Sequence, residues 1–219
     1  MKRILSIIMT FFLMMSLAAC GSKAQSEVKT TETPAEEQKE SSEPANTAEP
    51  EVAGKETESA SHSDVLVAYF SATGTTRGVA EKIASLTGGT LYEILAAEPY
   101  SDDDLNYNDS SSRSTKEQND KNVRPAIGSE DLSLEGYTTI YLGFPIWWGE
   151  EPRILDTFAE KYSFDGITVI PFCTSGSSGI GHSGTNMEAL AGSGTWLEGK
   201  RFSGNVSEAD LQSWIDSMK

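Results

Sequence analysis

The chain has 219 residues, a formal net charge of −16 and a sequence pI near 4.5. Acidity of that size excludes the basic face that a nucleic-acid binder needs, and it suits solubility and docking onto basic partner proteins. The two cysteines, Cys20 and Cys173, fall at the end of an apolar leader and in a predicted buried strand, so no disulfide framework is available.

Residues 1–20 have the form of an export signal. Lys2 and Arg3 supply the positive start, and Ile4 to Leu17 form a mostly apolar stretch that is short for a membrane span. Leu17-Ala18-Ala19-Cys20-Gly21 resembles the lipobox of bacterial lipoproteins. The resemblance implies cleavage before Cys20, a lipid on that cysteine, and a location outside the cytoplasmic membrane. Residues 21–63 contain no Phe, Trp or Tyr, and their ten glutamates against four lysines leave the segment at −6. Such a stretch cannot bury enough apolar surface to offset its ordering entropy and is expected to be a disordered tether. As a flexible coil its reach is roughly 35–40 Å. About −12 then remains on residues 64–219, so the folded domain itself is acidic.

Within residues 64–219 strand and helix signals alternate. Val65 to Phe70 is a short apolar run suited to a strand buried on both faces. Val79, Ile83 and Leu86 recur at helical spacing until Gly88-Gly89. Thr90 to Leu95 is a second strand. The polar stretch from Ala96 to about Gly136 is too long for a plain connection. Tyr137 to Phe144 predicts a third strand. Pro152 in a first helical turn then opens a helix with Ile154, Phe158 and Tyr162 on one face. Ile167 to Cys173 predicts a fourth strand, Thr185 to Ala191 a short helix, and Thr195 to Phe202 a fifth strand. Ser207 and Asp210 resemble a capping box opening a last helix with Leu211, Trp214 and Ile215. This alternation predicts a single α/β domain with a doubly wound, five-stranded parallel sheet.

Three loops follow strands one, three and four. Ser71-Ala72-Thr73-Gly74-Thr75-Thr76 sits between a strand and a helix N-terminus, whose free N–H groups and partial positive charge suit a phosphate. Many such turns only cap helices, and this one lacks both the triphosphate-loop lysine and the three-glycine dinucleotide pattern. Pro145-Ile146-Trp147-Trp148-Gly149 carries adjacent tryptophans that either stack on a planar ligand or fill core space. Thr174-Ser175-Gly176 opens a Gly/Ser-rich loop running to Gly181, whose backbone can approach a ligand edge. Cys173 reads as an inert core thiol, and His182 as a solvated loop residue.

These three segments together, with Tyr69 and Phe70 before the first, resemble the bacterial flavodoxin-like proteins across essentially residues 64–219. The resemblance implies strand order 2-1-3-4-5 and FMN as cofactor. It places the phosphate on Ser71, Thr73, Gly74, Thr75 and Thr76. The isoalloxazine ring falls between Pro145-Ile146-Trp147-Trp148-Gly149 and Thr174-Ser175-Gly176. Leu105 to Asp109 with Arg113-Ser114 resembles an insertion found in a subset of the family, which either covers the sheet edge or leans over the flavin. Glu150 and Glu151 are expected to put negative charge near the ring and lower its potential, and Gly149 to permit a peptide flip. The leading expectation is an electron carrier serving redox partner proteins; the alternatives are an FMN-dependent reductase of quinones or other small acceptors, and a flavin-free binding module.

Overall fold

The computed structural model describes residues 63–218, and the expectations for the leader, Cys20 and residues 21–62 lie outside them. Six parallel strands form one sheet: β1 (Val65–Tyr69), β2 (Thr90–Glu93), β3 (Thr139–Pro145), β4 (Thr168–Thr174), β5 (Thr195–Trp196) and β6 (Lys200–Phe202). The order is β2-β1-β3-β4-β5, with β6 also paired to β4. This is the doubly wound α/β arrangement that the alternation predicts.

The period-2 geometry of a strand explains why continuous apolar runs were needed. Leu66, Ala68 and Phe70 face one buried cluster, while Val67 and Tyr69 face the other. The first cluster is covered by α3 (Arg153–Lys161) and α4 (Ser183–Ala191), through Ile154, Leu155, Phe158 and Met187. The second is covered by α1 (Thr75–Thr87) and α5 (Glu208–Ser217), through Val79, Ile83, Leu211 and Trp214. Each large apolar side chain fully buried in this way contributes about 1.5–3 kcal/mol.

Local signals account for the boundaries. Gly88 caps α1 at φ 67°, donating its N–H to Ala84 O, and Ser207 Oγ accepts from Asp210 N at 3.1 Å to open α5. Asp210 is too short to reach the Ser207 backbone, and its carboxylate accepts from the Ser207 hydroxyl instead, at 2.7 Å. Pro152 is the cap before α3 rather than part of its first turn, with ψ 141°.

Two further features differ from the sequence pattern. The fifth strand is not continuous: it splits into β5 and β6. Ile167 and Val169 give their carbonyls to Thr195 and Leu197, both at 2.9 Å, so alternate residues of β4 face that edge. Pro171 is next in that series and has no N–H to offer. Gly199 crosses it so closely that a Cβ there would lie 2.8 Å from the Pro171 carbonyl. The polar connection also holds an unforeseen helix, α2 (Arg113–Asn119), which Ser112 caps by accepting from Thr115 N. Its buried residues are Ser114, Thr115, Glu117 and Gln118, so it has no apolar stripe to detect.

Candidate functional site

The three loops do meet at the carboxyl end of the sheet. They line a cavity of about 520 Å³, whose walls include Thr73, Thr75, Pro145, Ile146, Trp147, Thr174, Ser175 and Gly176. That size is typical of a small-molecule or cofactor site.

The first loop turns into α1 at Gly74, whose φ of 83° is a left-handed conformation that glycine adopts without strain. No side chain caps α1 and no acidic residue lies in its first turn, so its positive end faces the cavity region unneutralised. Thr73 and Thr75 line the cavity. Thr76 does not: it is buried, and its hydroxyl shares a 2.8 Å hydrogen bond with that of Thr174. Its role is to tie the first loop to the third. Ser71 lies outside the main cavity, beside Ala72 and Pro99.

The second loop is a tight reversal. Trp147 N donates to Glu150 O at 2.9 Å and Glu150 N returns to Trp147 O at 3.1 Å. The two residues between them, Trp148 and Gly149, have φ of 49° and 88°. Two positive φ values in sequence are the signature of a type I′ turn, which suits Gly149 and strains Trp148. Among the described residues Trp148 is the one non-glycine with positive φ, and such strain often marks a functional position.

The turn separates the tryptophans. Trp147 is 3% exposed and meets Phe70 and Tyr100 edge-on, at 5.6 and 5.0 Å between ring centroids. It belongs to the core and also lines the cavity, whereas Trp148 and Gly149 are not among the lining residues. Trp148 is 41% exposed and lies 4.3 Å from the Tyr107 ring. The third loop comes close behind, since a Cβ at Gly181 would sit 3.3 Å from Gly149 O.

Glu150 and Glu151 do not supply charge to the cavity, contrary to expectation. Glu150 pairs with Arg153 at 2.7 Å and Lys121 at 3.3 Å, and these cations hold its carboxyl below the usual range. Glu151 is buried, accepts from Asn186 at 3.1 Å and lies 3.7 Å from Arg153. Both belong to a network under the loop, which Gln118 joins by donating to Trp147 O at 2.6 Å and Glu151 O at 3.1 Å. Asp156 also faces Arg153; burial, then the negative Glu151, pushes its carboxyl up to about 6.

A family model described as flavodoxin matches residues 64–218. The chain belongs to the flavodoxin family. Among solved structures, a candidate flavoprotein from Bacteroides eggerthii is 44% identical, with a TM-score of 0.66 over 70% of this chain and 96% of its own. One from Bacteroides uniformis is 45% identical, with a TM-score of 0.66 over 69% and 97%. A flavoprotein from Lactobacillus acidophilus, solved in complex with FMN, shares the fold at 21% identity, with a TM-score of 0.53 over 69% and 97%. Comparison with curated proteins gives no match.

In this flavodoxin-family site, Leu105, Tyr107, Arg201, Ser203 and Gly204 complete the cavity wall. Leu105 and Tyr107 come from the connection between β2 and β3. Arg201, Ser203 and Gly204 escaped sequence reading. The rule that ligands sit beyond strand carboxyl ends, extended to the fifth strand, would have found them. Cys173 is fully buried, and burial pushes its thiol up to about 12, so it is inert; His182 is exposed at the start of α4.

Proposed function

We propose that this protein binds FMN and transfers electrons outside the cytoplasmic membrane, held there by a lipid on Cys20. The observation that carries the cofactor reading is the convergence of an uncapped helix start, the Pro145-Ile146-Trp147 segment and a glycine-rich edge on one cavity. The donors fit the group. Thr73, Thr75 and the first N–H groups of α1 would receive the phosphate, with Gly74 setting the turn. Pro145, Ile146, Trp148 and Gly149 would flank the ring on one side and Thr174, Ser175 and Gly176 on the other. Trp147 and Thr76 would act by holding these walls in place. When bound, FMN supplies one- or two-electron chemistry, while the protein supplies orientation and field.

Electron carriage between proteins is the first reading. FMN-dependent reduction of quinones or other small acceptors is the second, and one observation favours it. The acids expected to repel charge from the ring are neutralised elsewhere, while the cavity itself is lined by an arginine.

The full-length protein should purify yellow or quench the fluorescence of added FMN, with riboflavin binding more weakly. Absence of quenching by either flavin would leave a flavin-free binding module. Cys20→Ser should move the protein out of the membrane fraction; wild-type retention there would remove the lipid anchor from the account.

A further inference from the structure

Five arginines lie among the described residues. Arg77, Arg113, Arg124 and Arg153 each pair with at least one carboxylate. Arg201 pairs with none among the described residues, although the domain carries about twice as many acids as bases. It sits half-buried on β6 and lines the cavity. Its guanidinium donates only to neutral oxygens: Ser175 Oγ at 3.2 Å, Ser175 O at 2.5 Å and Gly176 O at 2.7 Å. A partly desolvated cation left without a counter-ion in an acidic protein is unfavourable unless a ligand brings the missing charge.

We infer that Arg201 is the counter-charge for the flavin ring in its two-electron-reduced, anionic form. The inference rests on the FMN reading. Reduction of the ring by two electrons and one proton puts the proton on N5 and leaves one negative charge shared between N1 and the neighbouring C2 carbonyl. FMN therefore has two anionic ends. The phosphate has its own receptor in the uncapped start of α1, and Arg201 makes no hydrogen bond to Thr73 or Thr75 even though Gly204, three residues on, lies against the Thr75 side chain. Its fork is fixed on the third loop, which is the loop assigned to the ring. With Glu150 and Glu151 held under the turn by Arg153, the Arg201 charge meets little local opposition. Such a site favours the two-electron-reduced state and raises the potential at which the ring accepts its second electron.

The test uses the full-length protein loaded with FMN and reduced by dithionite in the presence of mediator dyes. In Arg201→Gln the reduced form should lose affinity relative to the oxidised form by about tenfold, which for a two-electron couple is a fall in midpoint potential of about 30 mV. Arg201→Lys keeps the charge without the planar fork and should retain most of the wild-type potential. Riboflavin carries the same ring without phosphate and should show the same fall. An unchanged potential in Arg201→Gln overturns the inference. So do equal falls in the Gln and Lys variants, which would make the fork a prop for the third loop. Loss of oxidised FMN affinity with riboflavin unaffected would assign Arg201 to the phosphate and also overturns it. Failure of the wild-type protein to bind either flavin is a separate result, and it removes the FMN reading itself.

Discussion

In the sheet, Leu66, Val67, Ile140, Leu142 and Phe172 have no exposed surface, whereas the helix supplied by the connection between β2 and β3 buries Ser114, Thr115, Glu117 and Gln118. The sheet and the connection that carries this helix, through Leu105 and Tyr107, reach the same cavity. The sheet is held by apolar burial, which is insensitive to pH and forgiving of detail. The connection and the turn beneath which it docks are held by hydrogen bonds and ion pairs, which depend on charge state and on individual atoms. The scaffold of the site is thus fixed by one kind of force and its rim by another, so substitutions in the two should fail differently.

The largest effect is expected in the sheet. Phe172→Ala should cost about 3–5 kcal/mol in urea unfolding, and Trp147→Ala a similar amount, because both are buried side chains. A Trp147→Ala protein of unchanged stability would place that ring at the ligand instead of in the core. Next comes the network under the turn. Arg153→Ala strips the cation from the buried Glu151 and Asp156 and should cost about 3 kcal/mol; a cost below about 1 kcal/mol would mean that water replaces the guanidinium freely.

A smaller, pH-linked effect sharpens the contrast. The carboxyl of Asp156 is raised in the folded state to about 6 from its usual 3.8. The folded protein therefore binds this proton more tightly than the unfolded chain does. Its contribution to stability is complete below about pH 4 and is lost as pH rises through about 6. Relative to Asp156→Asn, the wild type should lose on the order of 2 kcal/mol between pH 4 and 7. A constant difference across that range would show that Arg153 and Arg124, whose guanidinium lies 3.8 Å from the carboxylate, keep Asp156 ionised throughout. The smallest stability effect belongs to Trp148→Ala. Its exposed ring should change unfolding by less than about 0.5 kcal/mol, while weakening FMN and riboflavin alike.

The same division decided what could be read from the sequence. Val65 to Phe70 and the third and fourth strands announce themselves because burial on both faces demands unbroken apolar runs. The first, second and third loops were legible because helix starts, paired tryptophans and glycines have few uses at strand ends. The split of the fifth strand was not legible. It depends on Pro171 facing that edge, which only the register reveals. The helix Arg113–Asn119 has no apolar period, so nothing in its pattern distinguishes it from a loop. The roles of Trp147 and Trp148 could not be separated either, because neighbours in a loop diverge according to a turn type that depends on the positive φ of Trp148. Glu150 and Glu151 misled for a related reason: their position next to the tryptophan loop is clear, but their pairing with Arg153 needs the turn to fold them under it.

The central claim is that the start of α1 receives the phosphate of FMN while the other loops receive its ring. Its most direct test is the affinity of FMN and of riboflavin for the wild type and for Thr75→Ala, measured side by side by flavin fluorescence quenching. A charge-assisted hydrogen bond to phosphate contributes about 1.5–3 kcal/mol. Thr75→Ala should therefore weaken FMN by roughly 10- to 100-fold and leave riboflavin nearly unchanged. Equal losses for the two flavins, or no loss for FMN, would contradict the assignment.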